Sequence, residues 1–149
     1  MTGSSIDVWT DSISDVGGPY SMTLTISLPD YPMVPALTKN FSVTIVCLVQ
    51  TLTFASPPPN TTCELFVDTQ PMEIPFSVTQ SPACADSLTY QLSPTSNAFL
   101  SVINPTATSG SIQITGATSA DINVYSIELK ATATNGIEVN VTFEVNITC

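Results

Sequence analysis

The sequence predicts an all-β protein, a two-sheet sandwich present once in full and once by half. Three observations lead there. Apolar and polar residues alternate along nearly every segment, with almost no helical periodicity. Roughly seven short segments of this kind, parted by turn clusters, fill about 100 residues, which is sandwich spacing. The pattern at the start of the chain then returns at its end.

The last segment alternates most cleanly. Val139, Val141, Phe143, Val145 and Ile147 take one face, and Glu138, Asn140, Thr142, Glu144 and Asn146 the other. Before it, Tyr125, Ile127, Leu129, Ala131 and Ala133 face inward, with Ser126, Glu128, Lys130, Thr132 and Thr134 outward. Asn135-Gly136 marks the turn between the two. A two-residue turn would set Glu138 opposite Ala133 among core residues. A three-residue loop, Thr134 to Gly136, pairs Ala133 with Ile137 and keeps both faces consistent, with Gly136 left-handed. Further strands are expected over Cys47–Phe54, Met72–Gln80, Leu88–Leu92, Phe99–Ile103 and Ser111–Thr115, with a short one over Cys63–Val67. Ser56-Pro57-Pro58-Pro59-Asn60 and Asn104-Pro105 separate them, the proline run reading as a stiff exposed loop. Pro75 lies inside a strand and implies an edge or a bulge there.

The repetition sets the domain organisation. IDVWTDSISDVGGPYSMTLTIS followed by FSVTIVC is answered by IQITGATSADINVYSIELKATA followed by FEVNITC. Asp15 matches Asp121, Tyr20 matches Tyr125, and Phe41 and Cys47 match Phe143 and Cys149, each of the last two pairs 102 residues apart. Residues 47–149 then form one complete repeat, and residues 1–46 the C-terminal half of a preceding one. Half a sandwich cannot bury its apolar faces. The missing strands are expected from a longer covalent chain or from a neighbouring molecule by strand donation. Tyr20 and Tyr125 read as core anchors whose hydroxyls bond a nearby loop, Asp15 and Asp121 as turn-capping residues. Trp9, placed opposite Ile114 in the repeat, reads as core.

Four cysteines, Cys47, Cys63, Cys84 and Cys149, include no CxxC pair, and the chain has no His, so a zinc site is not expected. An even count in a β protein favours disulfides. Three connectivities are open. In a sandwich, Cys47 shares a pole with the loop holding Cys84, and Cys63 shares the other with Cys149. Cys47–Cys84 with Cys63–Cys149 is the preferred pairing, and such bonds would staple the repeat junctions.

Composition narrows the role. Charged residues make up 9% of the 149-residue chain, and net charge is −10 from 12 acids against Lys39 and Lys130. Such a surface has no footprint for a phosphate backbone, so no nucleic acid partner is expected. No apolar run is long enough to span a bilayer. After Met1 the chain reads TGSSIDVWTD, without a basic n-region or apolar h-region, so secretion would depend on a signal in a longer precursor. With 43% hydrophobic residues and so little charge, solubility needs another source. Four N-x-S/T sequons supply one: Asn40-Phe-Ser42, Asn60-Thr-Thr62, Asn140-Val-Thr142 and Asn146-Ile-Thr148. N-linked glycans are therefore expected, and with them an extracellular or cell-surface location.

Phe99 to Thr148 resembles dystroglycan-type cadherin-like and related immunoglobulin-like repeats. The residues that carry this are Leu100-Ser101, Ile112, Ile114, Gly116, Asp121, Tyr125, Ile127, Leu129, Ala131, Asn135-Gly136 and the final alternating strand. The whole chain also looks like the long tandem-repeat surface proteins of ciliated protists. In those, an apolar strand ending in Thr-Cys is followed by Pro-x-Cys and a Leu-Thr-Tyr strand, here Thr148-Cys149, Pro82-Ala83-Cys84 and Leu88-Thr89-Tyr90. The resemblance implies Ig-like or cadherin-like Greek-key sandwich repeats; its motifs form a fold rather than a site. The sequence departs from the pattern by an insertion at Gly17-Gly18-Pro19 and by Asn123 where the Ig pattern has Gly. The clustered acids of calcium-binding junctions are missing, and around Cys47 the chain reads VTIVCLVQTLTF without an acid. Calcium needs about six oxygen ligands, so neither calcium nor any other cofactor is expected.

No catalytic constellation emerges: no His-based triad, no Gly-rich phosphate loop. Glu138 and Glu144 lie on a solvent face. The expectation is a non-catalytic structural glycoprotein, part of a filament, surface coat or appendage, whose partners are copies of itself or adjacent repeats. The alternative is an adhesion or receptor ectodomain that binds a protein or glycan through its loops. A carbohydrate-binding accessory module would need more exposed aromatics.

Overall fold

In the computed structural model, residues 6–10, 12–68 and 70–149 are described. The chain divides into two compact units, Met1–Cys47 and Leu48–Cys149.

The second unit is a sandwich of two four-stranded sheets. One sheet has the order β4 (Thr61–Glu64), β10 (Glu138–Thr148), β9 (Asn123–Ala133), β6 (Leu88–Ser93). The other has the order β3 (Thr51–Ser56), β5 (Met72–Ser81), β8 (Ser109–Ile114), β7 (Leu100–Ile103). The pairings are antiparallel except β4 with β10. The short strand expected over Cys63–Val67 runs instead over Thr61–Glu64 and gives way to a turn in which Val67 and Asp68 donate to the Glu64 carbonyl.

Alternation supplies the core. Ile127, Leu129, Ala131, Val145 and Ile147 of the first sheet and Ile112 and Ile114 of the second are fully buried. Tyr90 stands opposite Ala131 in the register, a large side chain beside a small one. Its ring meets Phe76 edge to face at 5.0 Å, so the two sheets touch through an aromatic pair. Gly110 makes room for that pair, since a Cβ there would lie 2.7 Å from Phe76 Cζ. The hairpin between β9 and β10 follows the faces: Ala133 N donates to Ile137 O, Gly136 N donates to Ala133 O, and Gly136 has φ +87°. Pro75 is not on an outer strand, because β5 is interior to its sheet. It pairs with Ser111 of β8. On the other flank the last rung with β3 is Ser56↔Ser77, and a register shift precedes it. Beyond that rung β5 is locally an edge, where a missing amide costs nothing.

The first unit is a single antiparallel hairpin of β1 (Gly17–Ile26) and β2 (Leu37–Ile45). Its register places Tyr20, Met22, Leu24 and Ile26 opposite Val43, Phe41, Lys39 and Leu37, all on one face. Ser21, Thr23 and Thr25 oppose Ser42, Asn40 and Thr38 on the other. The Gly17-Gly18-Pro19 insertion is taken up as a bulge, a register shift between Gly17 and Tyr20.

Both units carry the same device before their hairpins. A 3-10 turn, Ile13–Asp15 in one and Ser119–Asp121 in the other, leads into the first strand. The tyrosine hydroxyl then reaches back to the turn: Tyr20 to Asp15 O at 3.2 Å, Tyr125 to Asp121 O at 2.8 Å. The carboxylates differ: Asp121 caps the backbone of its turn, whereas the matching amide before Asp15, Ser12 N, donates to Thr10 Oγ1. Asp121 accepts from Thr118 N and Oγ1 at 2.8 and 2.9 Å, and Asp15 accepts from Thr10 Oγ1. Aligning the two turns sets Val8 at the place of Ile114 and Trp9 at that of Thr115. This corrects the expectation that Trp9 is core: it is 82% exposed, one residue out of phase with the inward position.

Candidate functional site

Three of the four sequons gather on the outer face of the β4–β10–β9–β6 sheet. Asn140 and Asn146 project from β10, six residues and so about 20 Å apart along the strand. Asn60 precedes β4, where its Oδ1 accepts from Glu144 N at 2.8 Å. Thr62, which completes the Asn60 sequon, is registered with Asn146. Asn60 and Asn140 are exposed and Asn146 is half-buried. The acceptor for a glycan is the amide nitrogen. Asn60 uses its oxygen and keeps that nitrogen out of the bond, whereas Asn140 Nδ2 donates to Glu128 Oε2 at 3.1 Å. Asn40 lies apart from these, on the polar face of the β1–β2 hairpin, exposed, its Oδ1 accepting from Thr23 Oγ1 at 2.9 Å. The outer face of the β3–β5–β8–β7 sheet presents Thr53, Glu73, Pro75, Thr79 and Ser101 and carries no sequon. The sandwich is therefore two-faced in the chemistry it offers.

Cys47 and Cys84 are disulfide-bonded. Cys63 and Cys149 are free thiols, so the expected Cys63–Cys149 bond is not formed. Register gives the reason. Cys63 pairs with Ile147, and Cys149 lies two residues past Ile147, just beyond the end of β10. That separation puts their α carbons about 8 Å apart by strand geometry, beyond the roughly 7 Å a disulfide can bridge. Cys63 points into the core while Cys149 is exposed. Burial, and then the nearby Asp68 carboxylate, push the Cys63 thiol pKa up.

The pole of the complete domain that holds the Cys84 loop is organised by a residue the sequence reading missed. Gln80 is buried at the inward phase of β5, with both amide hydrogens donated and the amide oxygen accepting once. Its Nε2 donates to Asp86 O at 2.6 Å and to Ala107 O at 2.8 Å, and its Oε1 accepts from Asp86 N at 3.0 Å. Asp86 in turn accepts from Thr134 N and Oγ1, and Asn135 Nδ2 donates to Val49 O at 2.6 Å. The signal was present: Met72, Ile74, Phe76 and Val78 run inward in step, and Gln80 breaks the series with an amide. A shallow concavity of about 430 Å³ beside it is lined by Val78, Gln80, Ala83, Ala85 and Thr108 among others. With Gln80 satisfied, it offers a ligand no unpaired buried polar group. Among the described residues no three His, Cys, Asp or Glu side chains are grouped to hold a metal, and no helix is long and apolar enough to cross a membrane.

No protein-family model matches the chain, and no curated protein matches it significantly. Solved structures do. Immunoglobulin domains 1–5 of Sidekick-1 superpose with TM-score 0.52 at 15% identity, over 92% of this chain and 26% of that one. The titin M3 domain superposes with TM-score 0.46 at 14% identity, over 66% of this chain and 97% of its own length. Mouse clustered PcdhgC3 EC1-3 gives 0.44 at 13% identity over 91% of this chain and 44% of that one. At such identities the likeness speaks to architecture alone: the protein has an immunoglobulin-like β-sandwich fold.

Proposed function

We propose that this chain is a non-catalytic structural segment of an extracellular or cell-surface tandem-repeat glycoprotein, joined end to end with like domains in a filament, coat or appendage. The observation that carries the reading is the recurrence of one device, the 3-10 turn, tyrosine latch and alternating hairpin, in both units of the chain. Repetition of a supersecondary unit is how a chain builds length rather than a site. The disulfide at Cys47 and Cys84 accords with an oxidising compartment. The sequons at Asn60, Asn140 and Asn146 would coat one sheet face with sugar and make up for the scarcity of surface charge, with Asn40 doing the same for the hairpin. The resemblance to ciliate surface repeats accords with the same role.

The test is electron microscopy of native material together with intact mass before and after glycan removal. Periodic fibres and a mass loss traceable to Asn40, Asn60, Asn140 or Asn146 are expected. Dispersed, unglycosylated monomers would overturn the proposal and favour a single-chain adhesion or receptor module.

A further inference from the structure

The apolar face of the β1–β2 hairpin is open along β1 and half-buried along β2, at Phe41, Val43 and Ile45. Tyr20, Met22, Leu24 and Ile26 are each 40% or more exposed. Aligned through the shared tyrosine latch, Tyr20 stands for Tyr125, Met22 for Ile127, Leu24 for Leu129 and Ile26 for Ala131. On the second strand Phe41, Val43 and Ile45 stand for Phe143, Val145 and Ile147. In the complete domain that same face is shut beneath β3, β5, β8 and β7, while β4 flanks β10 in parallel and β6 flanks β9 antiparallel.

We infer that the β1–β2 hairpin is an acceptor for the first half of another repeat of this kind, a polypeptide segment with the strand order and apolar pattern of residues 48–116. The molecule itself contains the template. One strand would add parallel to β2 as β4 does to β10, another antiparallel to β1 as β6 does to β9, and a second sheet would close over Met22, Leu24 and Phe41. A partner that added a single edge strand would satisfy backbone amides and leave the apolar face wet, so a half-repeat fits where a lone peptide does not. In sequence alignment Val8 falls at the place of Ile114, the last residue of β8, although residues 6–10 form no strand. Lys39 refines the partner's chemistry. It replaces Val141, a half-buried position in the complete domain. A covering segment therefore carries an acid or a carbonyl there, or lets the ammonium reach solvent along its own stem.

The inference rests on the tandem-repeat reading. Filaments in the microscope with a hairpin that never gains a cover would retire this inference alone. The test is hydrogen exchange on two forms of the full chain, one as it stands and one with a second copy of residues 48–114 grafted directly before Trp9. In the unaltered chain at high dilution, amides of residues 17–45 are expected to exchange at least ~100-fold faster than their counterparts in β9 and β10. In the grafted chain they are expected to slow to the level of those counterparts, and Leu24→Asp is expected to restore fast exchange there. Slow exchange in the unaltered dilute chain would overturn the proposal. So would protection that rises with concentration in the absence of the graft, which would mark a second copy as the occupant, or binding of the unaltered chain to phosphatidylcholine vesicles with protection of the hairpin. Should the graft misfold, the reciprocal chimera decides, with residues 17–46 replacing 123–148. Cooperative unfolding supports the fit between hairpin and half-repeat, and its absence counts against it.

Discussion

The β9–β10 hairpin and the β1–β2 hairpin carry matched side chains, yet Leu129 is fully buried and its counterpart Leu24 is 40% exposed. Both alternate, both pair antiparallel, and both are latched to a preceding turn by a tyrosine hydroxyl. The difference lies in what stands opposite. An alternating strand only offers one face for burial; a second layer must accept it before the hydrophobic effect contributes. A two-stranded hairpin alone is marginal in water, so matched sequences yield a closed core in one unit and an open face in the other.

Thiol chemistry reads this contrast most sharply. Cys63 is sealed in the core of the complete domain, and burial with the Asp68 carboxylate holds its pKa above the ordinary value of 9.0. It should alkylate at least ~10³-fold more slowly than Cys149, through unfolding only. A thiol placed in the open hairpin by Leu24→Cys should react as fast as Cys149. Mass spectrometry of timed alkylations gives all three rates, and a slow Leu24→Cys thiol would break the comparison. The raised pKa also has a sign in stability. The folded chain keeps the Cys63 proton where the unfolded chain loses it, so the contribution is whole below pH 9.0 and fades as pH climbs through the folded pKa. Denaturation midpoints should fall above that pH, and Cys63→Ala should flatten the decline.

The next contrast is in packing energy. Leu129→Ala opens a cavity between the sheets and should destabilise the Leu48–Cys149 unit by about 2–5 kcal/mol. Leu24→Ala removes a side chain that is already 40% exposed and has no opposing sheet to pack against, and should change denaturant stability by less than ~0.5 kcal/mol. Equal losses would mean that the hairpin face is covered in solution.

How much of this was legible in the sequence follows from the same physics. Period-two patterning shows which residues share a face, so the inward sets of β9 and β10 and the Ala133–Ile137 closure could be read directly. So could the fold class. Register between segments distant in sequence could not. The place of Cys149 beyond Ile147, opposite the end of β4, follows from a parallel pairing that no local pattern encodes, and the expected Cys63–Cys149 bond failed on it. Trp9 was misread because the tyrosine offset of 105 residues was carried back past the turn, whereas Asp15 and Asp121, 106 apart, fix the phase ahead of it. The sequons were legible as words, but their gathering on one sheet face depends on β4 lying beside β10.

The smallest expected effect tests whether the latch belongs to the hairpin or to the closed domain. Tyr125 donates to Asp121 O from a half-buried site where its ring also meets Phe99 at 5.1 Å. Tyr125→Phe keeps the ring contact and strands the carbonyl, which should cost about 1 kcal/mol in denaturant titration. Tyr20 makes the same bond at 3.2 Å, but its side chain is exposed and water can replace the hydroxyl. Tyr20→Phe should therefore leave stability within ~0.5 kcal/mol of the parent. In a chain whose hairpin has been covered by a half-repeat, water is shut out, and the cost of Tyr20→Phe should rise toward that of Tyr125→Phe. The hydrogen bond is the same in both copies, and its energetic weight is set by the layer that closes over it.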